Sequence, residues 1–184
     1  MAPSIVNLPS KPRSPALRVA VISLAAALSA CQSVETEYYD AGGVTIEQAF
    51  RSVGRHGPDR GNAIGQTQVA MSLDFWTVES ETNCRIVKAE VNLELKVILP
   101  RWTELDKTDA ANRAHLKNLA TYVKDHEHTH VQIAKRFQRQ IQRDVNNIPP
   151  AKTCKIVESE AKRVFRQGMR VHDNAQNQFD VNTS

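Results

Sequence analysis

The sequence predicts an α+β fold, in which a small antiparallel β-sheet built as a long hairpin packs against an antiparallel helical hairpin. Apolar and polar residues alternate over residues 87–99, which indicates a long strand with one buried face. Helical periodicity replaces this alternation from about residue 108 to residue 145. A Pro149-Pro150 turn then separates two helical stretches, so we expect two helices that run in opposite directions.

Composition limits the class of protein. The chain has 184 residues, of which 41% are hydrophobic and 24% are charged, and this suits one folded domain rather than a disordered chain. Residues 1–30 hold three of the 24 basic residues and no acidic residue, so the remaining chain carries 21 basic against 20 acidic residues. Because a nucleic-acid-binding domain normally keeps a basic excess, we expect no nucleic acid partner.

The first thirty residues have the layout of an export signal. A basic stretch precedes a short apolar segment at residues 19–28. The following Leu28-Ser29-Ala30-Cys31 matches a bacterial lipobox, which predicts cleavage after Ala30 and a lipid on Cys31. The alternative is an ordinary signal peptide with a chance cysteine.

This signal predicts the location and the domain organisation. No aspartate follows Cys31, so we expect an exported lipoprotein that is held in the outer membrane by its N-terminal lipid and faces the periplasm. Residues 1–30 are then the lipoprotein signal peptide. Residues 31–43 are the lipidated cysteine and a tether, with a short strand at Tyr38-Tyr39, and residues 44–184 are the folded domain.

The elements of that domain follow from local patterns. Thr45 caps a short helix, and the glycine-rich residues 54–65 form a loop. Residues 66–76 alternate and pair with residues 87–99 as an antiparallel hairpin. A helix starts at Thr108 or Asp109, and a second one begins near Thr153. The second helix carries a heptad stripe of mostly small and β-branched residues that suggests close packing.

Two cysteines remain after Cys31. Cys84 and Cys154 are an even pair in an oxidising compartment, which predicts a disulfide bond between them. A cysteine-based metal site would need closer ligand spacing.

One motif in the first long helix has a chemical meaning. His126, Glu127 and His130 form H-E-x-x-H, the signature of zinc metallopeptidases. Residues four apart on a helix bring both imidazoles to one metal ion, and the adjacent glutamate can exchange a proton with water on that ion. Both histidines fall on the apolar stripe of the helix, while His128 faces solvent. The sequence therefore predicts zinc ligands at His126 and His130, with Glu127 as the catalytic residue.

The third zinc ligand is less clear from the sequence. If the chain turns near Pro149, the returning helix is level with His128 at residues 168–173. His172 lies at that level and is the first candidate. Glu160 is the alternative, because it faces the partner helix better.

From Tyr38 onward the chain resembles a bacterial family of predicted secreted zinc-dependent proteases, a domain of unknown function that carries H-E-x-x-H. The shared features are Gly43 with Thr45, Gly57-Pro58, Cys84, Leu99-Pro100-x-Trp102 and His126-Glu127-x-x-His130. The resemblance implies zinc at the two histidines and a hydrolase role. Members end in D-x-x-T-x-H-G. Asp180-Val-Asn-Thr183-Ser184 matches the start of that segment, and the sequence stops one residue before its histidine.

These observations predict an envelope-anchored zinc-dependent metallopeptidase. Its substrate would be a peptide or protein, and Glu127 would assist the attack of zinc-bound water on a peptide bond. The alternative is a non-enzymatic lipoprotein that binds zinc or another envelope protein. A purely structural domain without metal would require other partners for two buried histidines.

Overall fold

The structure is a computed structural model that describes residues 34–183. Its elements are β1 (Val34–Ala41), α1 (Ile46–His56), β2 (Gln66–Glu79), β3 (Cys84–Trp102), α2 (Ala110–Asn146) and α3 (Cys154–Thr183), with a 3₁₀ turn at Asp59–Gly61. The α+β class is therefore confirmed. The predicted signal peptide and the lipidation of Cys31 lie outside the described residues and stay predictions.

The sheet has three strands in the order β1-β3-β2 and is mixed. β2 pairs with β3 in the antiparallel orientation. β1 pairs with the other edge of β3 in the parallel orientation, from Val34 opposite Leu95 to Ala41 opposite Trp102. The prediction of a purely antiparallel sheet is therefore wrong, because most of the segment predicted as a tether forms an edge strand.

The inner face of β3 and the apolar stripe of α2 form the core. Alternate β3 side chains are 2–8% exposed, and they contact buried side chains of the two long helices. The buried residues on the β3 side are Val91, Leu93, Leu95, Val97 and Leu99, and those on the helical side include Val131, Ala134, Phe137, Ile141, Val157 and Ala161. The outer face of the sheet carries polar residues, as the alternation in β3 predicts.

Side-chain caps begin the first two helices. The hydroxyl of Thr45 accepts a hydrogen bond from the amide of Gln48 at 3.3 Å, and the carboxylate of Asp109 accepts one from the amide of Asn112 at 2.9 Å. Each cap satisfies one of the free amide groups at a helix start. Within residues 34–183, no helix combines the length and apolar character that a membrane span requires.

The disulfide bond between Cys84 and Cys154 is present, as predicted, with the two Cα atoms 5.0 Å apart. It joins the first residue of β3 to the first residue of α3. Next to it, Ala151 pairs with Cys84 through two backbone hydrogen bonds of 2.7 and 3.0 Å. The link between the two long helices is thus attached to the sheet.

This attachment sets the register of the helical hairpin. Residues 147–153 continue beyond α2 before α3 begins, so the contacting pairs are symmetric about Thr153 rather than about Pro149. His130 therefore contacts Gln176, and His126 contacts Asp180. The prediction that residues 168–173 lie level with His128 is therefore wrong by about two turns of α3.

Replacing both cysteines with alanine (C84A with C154A) should lower the free energy of unfolding by about 4 kcal/mol, because the bond closes a loop of 70 residues. Urea denaturation without reductant measures this difference. Reduction of the wild type should produce the same loss and should leave the double variant unchanged. Equal stability of the oxidised wild type and the double variant would contradict the prediction.

Candidate metal centre

His126 and His130 lie one turn apart on α2 and project toward Asp180 near the end of α3. Nε2 of His126 lies 3.1 Å from Oδ1 of Asp180, and Nε2 of His130 lies 2.8 Å from the same oxygen. The two Nε2 atoms are 3.1 Å apart. Three potential ligand atoms from two helices therefore form one triangle.

Hydrogen bonds satisfy this triangle only if one Nε2 atom carries a proton and the other does not. If both Nε2 atoms donate to Asp180, two N–H groups face each other at 3.1 Å. A single cation can contact all three atoms at once. A tetrahedral metal site with bonds of about 2.0–2.1 Å has ligand atoms about 3.3 Å apart, which is close to the observed spacing. The group therefore fits a metal ion that is bound by two imidazoles and one carboxylate.

The outer nitrogen of each imidazole contacts α3. Nδ1 of His130 lies 2.6 Å from Oε1 of Gln176, and Nδ1 of His126 lies 3.4 Å from the hydroxyl of Thr183. That hydroxyl also lies 2.8 Å from the carbonyl oxygen of Phe179, to which it can donate, and it can then accept from Nδ1 of His126. If both Nδ1 atoms carry the proton, both Nε2 lone pairs are directed at the triangle, which is the arrangement that metal ligation requires.

Glu127 lines the same cleft as this group, with 4% of its surface exposed. The hydroxyl of Thr67, at the start of β2, lies 2.8 Å from its Oε2 and 3.1 Å from its backbone carbonyl. A hydroxyl proton directed at Oε2 stabilises the carboxylate and holds the side chain in one orientation.

Gly65 lets the loop before β2 pass directly over Glu127. A Cβ atom at this position would lie 2.9 Å from Oε1 of Glu127 and 2.5 Å from a methyl group of Val123. The preceding residue is fixed by Tyr39, whose hydroxyl donates to the carbonyl of Ile64 at 2.8 Å. Burial raises the pKa of that hydroxyl to about 12, so Tyr39 keeps its proton in the neutral range.

The group lies at a cleft of about 660 Å³. Asp180 is the most accessible of the three candidate ligands, with half of its side chain exposed, against 20% for His126 and 11% for His130. On the α3 side, the ring of Phe179 contacts both imidazoles, with centroid distances of 4.8 and 5.0 Å. Opposite these side chains, the cleft is bordered by the loop before β2 and by Thr67. A small molecule or an extended chain could therefore reach the candidate ligands.

The structure brings His126, Glu127 and His130 together as the motif predicts, and His128 is exposed, with its Nε2 3.1 Å from Nε2 of Gln132. His172 lies on the wall of the cleft but outside the triangle, eight residues and about 12 Å along α3 from Asp180.

The alternative third ligand, Glu160, is farther still. It precedes Asp180 by twenty residues, or about 30 Å of helix. Its carboxylate is paired with Arg163 at 2.6 Å, and the hydrogen bonds from Arg163 hold its pKa below the usual range.

Sequence reasoning missed Asp180 as a potential ligand. The position of Asp180 depends on the register of α3. With the turn centred on Pro149, the residues opposite the two histidines were predicted about eight positions too early in the sequence. One signal was present, since Asp180 and Thr183 match the D-x-x-T segment of the family that the chain resembles. The structure places both residues against His126.

The fold and the site define an α+β domain with a candidate metal-binding group on a helical hairpin. A family model described as Bacterial protein of unknown function (DUF922) matches residues 36–184, so the chain belongs to this bacterial family. That description does not include the zinc-protease activity that the resemblance implied. No curated protein and no solved structure matches the chain.

Replacing Thr67 with valine should destabilise the protein by about 1–3 kcal/mol, because the buried Glu127 carboxylate loses a hydrogen-bond donor. Thr67→Val should lower the stability less in a Glu127→Gln background, since the glutamine amide is uncharged. Urea denaturation of the four proteins in a double-mutant cycle, with a chelator present, measures this coupling.

The matched control is Thr121→Val on the exposed side of α2, where the hydroxyl bonds to the carbonyl of Lys117. Its effect should stay within about 0.5 kcal/mol. Strictly additive effects of Thr67→Val and Glu127→Gln would show that the hydroxyl does not stabilise the carboxylate.

Proposed function

We propose that this protein is an envelope-anchored zinc-dependent metallopeptidase. The observation that supports it most is the triangle of His126, His130 and Asp180, with the buried side chain of Glu127 in the same cleft. Two imidazoles and one carboxylate are a ligand set of catalytic zinc sites, which keep a fourth position for water or substrate.

His126, His130 and Asp180 would hold the ion. When bound, zinc supplies Lewis acidity, which lowers the pKa of water and polarises a carbonyl group. Glu127 is the only carboxylate in the H-E-x-x-H motif, and it follows the first candidate ligand directly. It accepts a proton from the attacking water as the new C–O bond forms, and it delivers that proton to the departing amine nitrogen as the C–N bond breaks.

Thr67 and Gly65 prepare Glu127 for this role. The Thr67 hydroxyl contacts Oε2 of Glu127. Oε1 lies next to Gly65, where a Cβ atom would crowd it. One carboxylate oxygen is thus fixed by a donor, and the other remains able to accept a proton. The cleft borders these residues and the start of β2.

An extended peptide is the substrate that fits this layout. In the described part of the chain, β2 pairs with β3 on one side only, so its other edge offers backbone groups to a further strand. The first residues of that strand line the cleft. A peptide paired with β2 would therefore lie across the candidate ligands. The lipobox at Cys31 supports a location at the outer membrane, facing periplasmic proteins or peptides.

Asp180 also bears on the non-enzymatic alternative. The H-E-x-x-H motif supplies two zinc ligands, whereas catalytic zinc usually has three protein ligands, and this difference favours the non-enzymatic alternative. The structure supplies a third candidate from α3. Zinc binding without hydrolysis remains the competing function, and the second experiment below separates the two.

Protein purified without a histidine tag should bind one equivalent of zinc. His126→Ala and His130→Ala should each abolish that binding, and Asp180→Ala should weaken it, because each removes one ligand atom of the triangle. Metal analysis after dialysis with zinc measures the stoichiometry. His128→Ala is the matched control and should retain the full equivalent. Equal zinc content in the wild type and His130→Ala would overturn the site.

Glu127→Gln should keep one equivalent of zinc and lower the rate of peptide hydrolysis at least about a hundredfold, because an amide cannot take up the proton. A fluorogenic peptide library provides the substrates, and Glu81→Gln in the exposed β2–β3 turn is the control. A wild type that binds zinc but cleaves no library member would favour the non-enzymatic alternative. Cleavage by Glu127→Gln at the wild-type rate would refute the catalytic role.

A further inference from the structure

Behind the candidate metal ligands, four side chains form a continuous hydrogen-bonded row. Nδ1 of His130 lies 2.6 Å from Oε1 of Gln176. Nε2 of Gln176 lies 2.9 Å from Nε2 of His172, and Nδ1 of His172 lies 2.9 Å from Oδ1 of Asp173. We call these four residues the α3 relay.

One backbone group determines the direction of every bond in the α3 relay. Nε2 of Gln176 lies 3.2 Å from the carbonyl oxygen of His130, which can only accept a hydrogen bond. The amide nitrogen must therefore face that carbonyl, and the amide oxygen must face the imidazole of His130. An amide oxygen also only accepts, so Nδ1 of His130 carries the proton and Nε2 keeps its lone pair.

The same logic extends to the far end of the α3 relay. The amide nitrogen of Gln176 donates to Nε2 of His172, so the proton of that imidazole lies on Nδ1. It is then donated to the carboxylate of Asp173. Each hydrogen bond in the α3 relay therefore has one donor and one acceptor.

His172 is more buried than either candidate metal ligand, with 3% of its surface exposed. Its ring packs edge-on against Phe137 at a centroid distance of 5.8 Å. An apolar residue would fill this position without a need for polar partners. The hydrolytic steps described above do not use His172, so its burial and its two hydrogen bonds call for another explanation.

We propose that Gln176 and His172 are positioning residues that hold His130 in the tautomer with an unprotonated Nε2, and thereby strengthen metal binding. The proposal rests on the metal-binding part of the proposed function. Gln176 acts directly on the imidazole. His172 acts through Gln176, because it holds the amide nitrogen away from Nδ1 of His130. Partners of this kind typically contribute about 10–100-fold to metal affinity.

The first test needs no metal. Nitrogen-15 NMR of the imidazoles at alkaline pH, in chelator, reports which nitrogen of each neutral histidine carries the proton. The wild type should show Nδ1–H at both His130 and His172. Gln176→Leu should shift His130 toward a mixture of tautomers, and Gln132→Leu is the matched control because the amide nitrogen of Gln132 contacts the exposed His128, which lies outside the α3 relay. A wild type with Nε2–H at His130 would overturn the proposal.

The second test measures zinc affinity by competition with a chromophoric chelator. Gln176→Leu should weaken binding about 10–100-fold, and His172→Phe should weaken it less while the ring packing against Phe137 is retained. Gln132→Leu should bind as the wild type does. His172→Phe also serves as the test variant if Gln176→Leu does not fold.

The outcomes separate this inference from the proposed function. A wild type that binds zinc, with affinity and tautomer unchanged in Gln176→Leu, refutes the role of the α3 relay and leaves the metal site intact. A wild type that binds no zinc refutes the metal site and the gain in affinity, whatever the tautomers are. Weaker zinc binding by Gln176→Leu with an unchanged His130 tautomer would indicate a packing effect and would also refute the relay.

Discussion

The register of α3 against α2 determines which side chains meet the two histidines. That register follows from the attachment of the interhelical link to the sheet, through the pairing of Ala151 with Cys84 and the disulfide bond to Cys154. A shift of one residue would turn the side chains of α3 by about 100° and would remove Asp180 from both imidazoles. The candidate site therefore depends on a covalent link at the opposite end of the helical hairpin.

The elements that could be predicted from the sequence have a strong internal period. The alternation in β3 and the apolar stripe of α2 each continue over many residues, and the export signal made a disulfide the expected state of Cys84 and Cys154. β1 has no such signal, because all but three of its eight residues are exposed. Its parallel pairing with β3 is a long-range backbone interaction that leaves no periodic pattern in residues 34–41.

The candidate site was predictable only where its residues are neighbours in the chain. His126, Glu127 and His130 belong to one helical motif, so their spacing alone brings them together. Thr67 contacts Glu127 from 60 residues away, and Asp180 contacts His130 from 50 residues away. Neither contact has a local pattern, since the first depends on the packing of β2 against α2 and the second on the register of α3.

The close spacing of the three atoms in the triangle is also compatible with a bound cation. With protons on both Nδ1 atoms, which face Gln176 and Thr183, two lone pairs and the carboxylate of Asp180 face one another within 3.1 Å. Three acceptors at this spacing repel each other unless positive charge lies between them. One added proton on an Nε2 atom could be donated to Asp180 or to the other imidazole and would relieve part of this repulsion, whereas two added protons would place two imidazolium rings side by side, which is unfavourable in a partly buried site. One divalent cation supplies the same charge at a single point and contacts all three atoms.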